Sequence, residues 1–219
     1  ERFEQERQVL ARLDHPSIAR LLDGGQAPWG DPFLVMEYVD GSPLHEHCER
    51  MRLGIDERLA LFVQVCDAVQ HAHQSLVVHR DLKPANILVD ATGRPRLLDF
   101  GIAKVLDPED ASVRDVASTW IVTPRYGSPE QLRGGAITTA TDVYALGVIL
   151  YELLTDRAPF ELHDKTPAEI ERLVCRTDAP PLASTPPGSQ ARRLRGDLEW
   201  IVRRAMAKAP EERYTSAAA

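Results

Sequence analysis

The sequence predicts an α+β fold in two unequal lobes, a small strand-bearing one over residues 1–40 and a larger, mostly helical one over residues 41–219. Three observations predict it. Two short apolar runs, Ile18–Leu22 and Phe33–Val39, flank Gly24-Gly25 and the Pro28–Pro32 stretch, the pattern of two strands joined by a turn. Asp40-Gly41-Ser42-Pro43 then breaks the chain. Beyond that break, apolar residues recur at helical spacing, most clearly over 56–74 and 141–154.

Residues 1–13 read as an amphipathic helix with Phe3, Leu10 and Leu13 on one face, ended by Asp14-His15-Pro16 because the residue before a proline is pushed out of helical geometry. The strand pair follows. In the second lobe, Asp56 is placed to cap a helix over 56–74 whose buried face is Leu59, Phe62, Val63, Cys66, Val69 and His73. Short β-type runs are expected at Leu76–Val78, Ile87–Val89 and Arg96–Leu98. Residues 102–138 lack sustained periodicity and read as a long functional loop. Thr141–Leu154 is apolar almost all round, as a helix at the centre of a lobe would be. A helix over 167–175, a Pro- and Arg-rich connector over 178–195, and a helix capped by Asp197 and running to Met206 complete the chain.

Composition narrows the function. With 43% hydrophobic residues and a net charge of −7 over 219 residues, bulk disorder is excluded. The excess of 33 acidic over 26 basic residues argues against nucleic acid or an anionic membrane as a partner. No apolar run approaches the ~18 residues of a membrane span, and the charged start ERFEQERQ is not a signal peptide. Cys48, Cys66 and Cys175 have no metal-ligand spacing and read as idle thiols in a reducing compartment. Lysine occurs only at 83, 104, 165 and 208, against 22 arginines, and Asn86 is the single asparagine.

Two of those scarce residues fall in one octet. Residues 79–86 read HRDLKPAN, residues 99–101 read DFG thirteen positions after Asn86, and residues 128–130 read SPE. Asp, Lys and Asn in this order supply a carboxylate to take a hydroxyl proton, an ammonium to balance phosphate charge, and hard oxygen donors of the kind Mg²⁺ accepts. Transfer of a γ-phosphoryl requires little covalent help, so the protein positions the nucleophile and neutralises charge on the phosphates. The set resembles the catalytic core of protein kinases of the serine/threonine type, and the alanine and arginine bias with the LFVQVCDAVQHAHQ segment resembles the bacterial eukaryotic-type members.

The resemblance implies a protein-kinase-like bilobal fold: a partial N-lobe over 1–40, with the Glu6 helix, two strands and the hinge, and a helical C-lobe over 41–219. It implies a serine/threonine kinase domain that moves the ATP γ-phosphoryl to Ser/Thr hydroxyls of protein substrates, with ATP and Mg²⁺ as cofactors. Asp81 would orient the acceptor hydroxyl and take its proton, Lys83 would balance the γ-phosphate, and Asn86 and Asp99 would hold the metal. Met36 would be the gatekeeper, the backbone of Glu37 and Val39 would bond the adenine, and Leu88 would pack beneath the ring. Leu10, Leu21, His79 and Phe100 match a stacked regulatory column anchored by Asp142, whose carboxylate is expected to bond the backbone around His79-Arg80. Glu130 and Arg213 match a buried pair tying the loop end to the last helix.

Regulation is implied as well. Glu6 matches the helix glutamate that pairs with a strand lysine, and Arg80, with Arg2 and Lys104, matches a basic pocket for a phosphorylated loop. Ser112, Ser118 and Thr119 are the candidate acceptors there, and phosphate on one of them would raise activity. Thr123 matches a threonine touching Asp81 and Lys83. Protein substrates, a kinase dimer for autophosphorylation, and a cytoplasmic location, as in the cytosolic part of a longer membrane-anchored protein, complete the expectation.

The sequence departs from the pattern at its front edge. No glycine-rich loop and no strand lysine precede Glu6, and residues 1–5 contain no lysine. The expectation is a fragment truncated before both features, with little activity by itself and uncovered apolar surface on its strands. The alternative is a pseudokinase or scaffold module that binds partners without phosphotransfer, against which the intact Asp81, Lys83, Asn86 and Asp99 argue. A small-molecule phosphotransferase is disfavoured by the long 102–130 segment and by SPE.

Overall fold

The computed structural model describes residues 9–11, 13–29, 32–100, 124–184 and 193–219. Two small antiparallel sheets precede and flank a helical body. Strands β1 (Leu21–Gln26) and β2 (Pro32–Met36) form one sheet. Strands β3 (Gly41–Pro43), β4 (Ile87–Asp90) and β5 (Pro95–Leu97) form the other in the order β3-β4-β5. Strand β1 begins three residues downstream of the expected run Ile18–Leu22: Gly24 and Gly25 are inside β1, opposite Leu34 and Phe33, not in a turn. Residues 17–19 are engaged elsewhere, since Leu97 N donates to Ser17 O and Ala19 N to Leu97 O, which ties this stretch to β5. At Gly25 a Cβ would stand 3.2 Å from the Phe33 ring, so the glycine accommodates the aromatic across the pair. Leu22, Phe33 and Val35 leave substantial apolar surface exposed on this sheet.

Several expectations change in the helical region. Helix α1 (Leu44–Arg50) directly follows β3, where the sequence showed only a break. Helix α2 (Ile55–Gln74) starts one residue early: Gly54 is its N-cap, Glu57 Oε2 accepts the Gly54 N–H at 2.7 Å, and Asp56 pairs with Arg193 instead. Its buried face is Leu61, Phe62, Val65, Ala68, Val69, Ala72 and His73, rotated from the expected one, and Val63 is 56% exposed. Leu76–Val78 is not a strand. Val77 N bonds Ala72 O as the helix ends, and Leu76 takes a positive φ of 61° and is 93% exposed.

Further along are α3 (Pro129–Leu132), α4 (Thr139–Thr155), α5 (Pro167–Arg176) and α6 (Asp197–Ala205). The four-residue α3 lies within the stretch read as loop. Its Ser128–Gln131 capping box supplies the start signal. Every residue of α4 from Thr141 to Thr155 is buried, as its all-round apolar sequence requires. Gly196, with φ 86°, is the N-cap of α6, so Asp197 is its first helical residue rather than its cap. Arg213 follows a single 3₁₀ turn, Pro210–Glu212, not a helix. Among the described residues no helix is long and apolar enough to cross a membrane.

Helices α4 and α6 cross at Gly147. A Cβ there would meet Met206 Cγ at 2.8 Å and Ala205 Cβ at 2.9 Å, both closer than real contacts allow. Gly147→Ala is therefore expected to destabilise the fold. Overpacking costs on the order of 1–3 kcal/mol, against the roughly 1 kcal/mol that alanine gains over glycine inside a helix. Urea unfolding measures the sign, and a stabilised variant would show that the two helices separate freely.

Candidate active site

The octet 79–86 is held by a carboxylate from the central helix. Asp142, in the first turn of α4 and 1% exposed, accepts the N–H of His79 at 2.8 Å and that of Arg80 at 2.9 Å. This is the backbone bonding expected of it. His73 Nε2, which the sequence placed only on a core face, adds a third contact to Asp142 at 2.8 Å. Those bonds hold Arg80 at φ 68°, a left-handed backbone that costs a non-glycine residue energy unless its surroundings enforce it. Gln131 Nε2 donates to the Arg80 carbonyl at 2.8 Å, a link the sequence did not signal beyond its capping role.

Around this support the side chains singled out by the sequence meet. Lys83 Nζ lies 2.7 Å from Asp81 Oδ2, with both side chains partly exposed. Asn86 is buried. Its Nδ2 donates to the Asp81 carbonyl at 3.0 Å and approaches Asp81 Oδ2 at 3.4 Å. Pro84–Asn86 is a 3₁₀ turn, with Asn86 N bonding Lys83 O at 2.9 Å, which folds lysine and asparagine back onto Asp81. The 98–100 segment is drawn to the same place. Leu98 N donates to Asn86 O at 2.8 Å, His79 Nε2 reaches Leu98 O at 2.8 Å, and the His79 and Phe100 rings stack 4.8 Å apart. Asp99, between them, is exposed and takes φ 47°. Leu10, Leu21 and Phe100 belong to one apolar core.

His79 is neutral at ordinary pH. Burial lowers its pKa below 6.5, outweighing the Asp142 charge and the Leu98 hydrogen bond. Asp81 N donates to Nδ1 at 3.3 Å, so the proton sits on Nε2 and points at Leu98. A histidine depressed in the folded state binds fewer protons than in the unfolded chain. Its stabilisation is complete above about pH 6.5 and is lost as pH falls below that value. Melting temperature is expected to fall from about pH 7.5 to about pH 5, less steeply in His79→Phe. Parallel pH profiles for the two proteins would remove His79 from the account.

At the segment expected to be the hinge, Met36 ends β2, and Glu37, Val39 and Met36 are half-buried. Glu37 N donates to Arg20 O at 2.8 Å, while its carboxylate takes Arg20 N at 3.2 Å and Arg96 Nη2 at 2.6 Å. The side chain thus staples the hinge to β5. Among the described residues the Glu37 carbonyl and the Val39 amide take no hydrogen bond, which leaves one acceptor and one donor for a planar base. Leu88, half-buried on β4, lies on the opposite face from the buried Ile87 and Val89. The distant Glu130 and Arg213 form the expected pair: Arg213 Nη1 and Nη2 reach the two Glu130 oxygens at 2.7 and 2.8 Å, and Thr141 Oγ1 adds a bond at 3.0 Å. Glu6, Lys104, Ser112, Ser118, Thr119 and Thr123 lie outside the described residues.

The donor chemistry fits a magnesium nucleotide. Asn86 directs its nitrogen to Asp81, which leaves its amide oxygen available, and Asp99 forms no ion pair among the described residues. Also among the described residues, no three His, Cys, Asp or Glu gather into a site that could hold a metal by themselves. Two oxygen donors beside phosphate and water suit Mg²⁺, which dehydrates reluctantly. The three cysteines are free thiols, and burial pushes Cys66 up to about 12.

Compared with known protein families, residues 1–219 match the protein kinase domain. The chain is 39% identical over 222 residues to serine/threonine-protein kinase PknB of Mycobacterium tuberculosis, covering 99% of this chain and 34% of that protein. It is 38% identical over 224 residues to serine/threonine-protein kinase pkn3 of Myxococcus xanthus, covering 100% of this chain and 40% of that protein. A probable serine/threonine-protein kinase of Corynebacterium efficiens is 37% identical, again over 100% of this chain and 33% of its own length. The chain therefore spans little more than a third of the relatives it matches.

Proposed function

The chain belongs to the protein kinase domain family, and from that premise we propose that it transfers the γ-phosphoryl of ATP to Ser/Thr hydroxyls of protein substrates. One observation carries the reading: Asp81, Lys83 and Asn86 form a single hydrogen-bonded cluster that the Asn86–Leu98 backbone bond joins to Asp99. Asp81 aligns the acceptor hydroxyl and takes its proton at a carboxylate oxygen. Lys83, already on Asp81 Oδ2, balances phosphate charge while the proton moves. Asn86 and Asp99 would hold Mg²⁺, whose charge neutralises the phosphate oxygens when it is bound. Glu37 and Val39 receive the adenine through their unengaged backbone groups, below Met36 and above Leu88.

The regulatory part of the reading rests on the resemblance together with Arg80. Phosphate at Ser112, Ser118 or Thr119 pairs with Arg80 and Lys104 and orders the loop that carries Thr123, with Glu6 completing the nucleotide side. Phosphorylation between two copies of the chain is the proposed route to that state.

The experiment is Mg-ATP-dependent labelling of a serine peptide by the full-length protein that carries this chain, beside the same protein carrying Asp99→Ala. Loss of one metal-holding carboxylate is expected to lower transfer by about 100-fold or more and to raise the Mg²⁺ concentration needed. Full labelling by the variant at unchanged Mg²⁺ demand would refute the assignment of Asp99.

A further inference from the structure

A second charged cluster surrounds Glu152 on α4, apart from the residues assigned above. Its carboxylate is 1% exposed, and a buried carboxylate persists only when its charge and lone pairs are answered. Arg125 Nε donates to Oε1 at 2.5 Å and the Tyr126 hydroxyl donates to Oε2 at 2.8 Å. His45 Nε2 stands 3.7 Å from Oε2, beyond hydrogen-bond reach. Burial lowers the pKa of His45 despite the raising fields of Glu152 and Asp156, so this imidazole is neutral near pH 7. Arg125 is the cation that neutralises Glu152.

The outer side of Arg125 gives the cluster a function. The side chain is 48% exposed although Nε is engaged, and among the described residues its two Nη groups take no hydrogen bond. Glu161 is the other acid whose field reaches it. A guanidinium in this state offers a planar fork that matches a carboxylate. Tyr126, the next residue in the chain and a fellow donor to Glu152, lines a small cavity of about 10 Å³ together with Arg80, Asp81 and Gln131, so Arg125 adjoins a residue that borders the proposed proton acceptor. A basic peptide side chain would have to displace Arg125 from a buried carboxylate. An acidic one completes the fork without disturbing it.

We propose that Arg125 is a specificity-determining residue that selects acceptor peptides carrying Asp or Glu near the reacting hydroxyl and rejects Arg there. The proposal rests on the kinase reading above. Labelled peptides with one serine in an alanine background, and Asp, Ala or Arg walked through the neighbouring positions, are titrated into the full-length chain with anisotropy as the readout. At one position or more, Asp is expected to bind more tightly than Ala by about threefold, what a partly exposed ion pair supplies, and Arg more weakly than Ala. Arg125→Ala abolishes that difference. Because that change leaves Glu152 buried and unpaired, the double variant Arg125→Gln/Glu152→Gln, which removes both charges together, is measured beside it and loses the same discrimination. Equal binding of all three peptides at every position, or an Asp preference that survives in the double variant, overturns the proposal. Binding requires no phosphate transfer, so a full-length protein that binds peptides but labels none refutes the kinase reading separately.

Discussion

Asp81→Asn is expected to lower phosphate transfer to a serine peptide by about 10²–10⁴-fold, the range a positioned general base contributes. Asparagine keeps the shape of the side chain and can still accept from Lys83 Nζ, now 2.7 Å from Asp81 Oδ2. The Asp81 carbonyl bond to Asn86 Nδ2 is backbone and survives. What disappears is the negative oxygen that takes the hydroxyl proton. The melting temperature of the variant should therefore match the parent while transfer collapses, and steady-state labelling with a thermal melt reads both. A variant that keeps more than about a tenth of the parent rate would assign the proton to another group.

The largest expected effect on stability is at the Glu130–Arg213 pair. Arg213 is 1% exposed, and besides its two contacts to Glu130 it donates to the Ala207, Ala140 and Lys208 carbonyls. Burial would raise the Glu130 pKa, but the Arg213 hydrogen bonds and charge bring it below 4.5. Arg213→Ala strands that carboxylate and several carbonyls, at a cost of about 3–5 kcal/mol, a large share of the 5–15 kcal/mol of a typical domain. Because the folded pKa of Glu130 is depressed, the pair's contribution is present above about pH 4.5 and is lost as pH falls through the folded value. Chemical denaturation should show the loss near pH 7, with the gap between parent and variant narrowing in acid. A loss below about 1 kcal/mol at pH 7 would place the pair among exposed ion pairs.

The sequence by itself determined the family and the centre of the fold. HRDLKPAN, DFG and SPE carry the likeness to the protein kinase domain at fixed spacings, and they supplied the residues proposed to act in phosphoryl transfer. The unbroken apolar run of α4 declares a buried helix, since no other environment tolerates it. Asp142 was legible for the same reason: a carboxylate in such a run must find hydrogen-bond donors. Local signals failed where two surfaces compete for a segment. Nothing local distinguishes Ile18 as the start of a strand from Ile18 as a rung against β5, and the face of α2 turned on which neighbours it met. Tertiary structure alone decided that His73 would share Asp142, that the Glu37 carboxylate would bind Arg20 and Arg96, and that Arg125 would cover Glu152. Each of these joins residues far apart in the chain, and a side chain's partner across such a distance follows from packing, which periodicity and propensity do not encode.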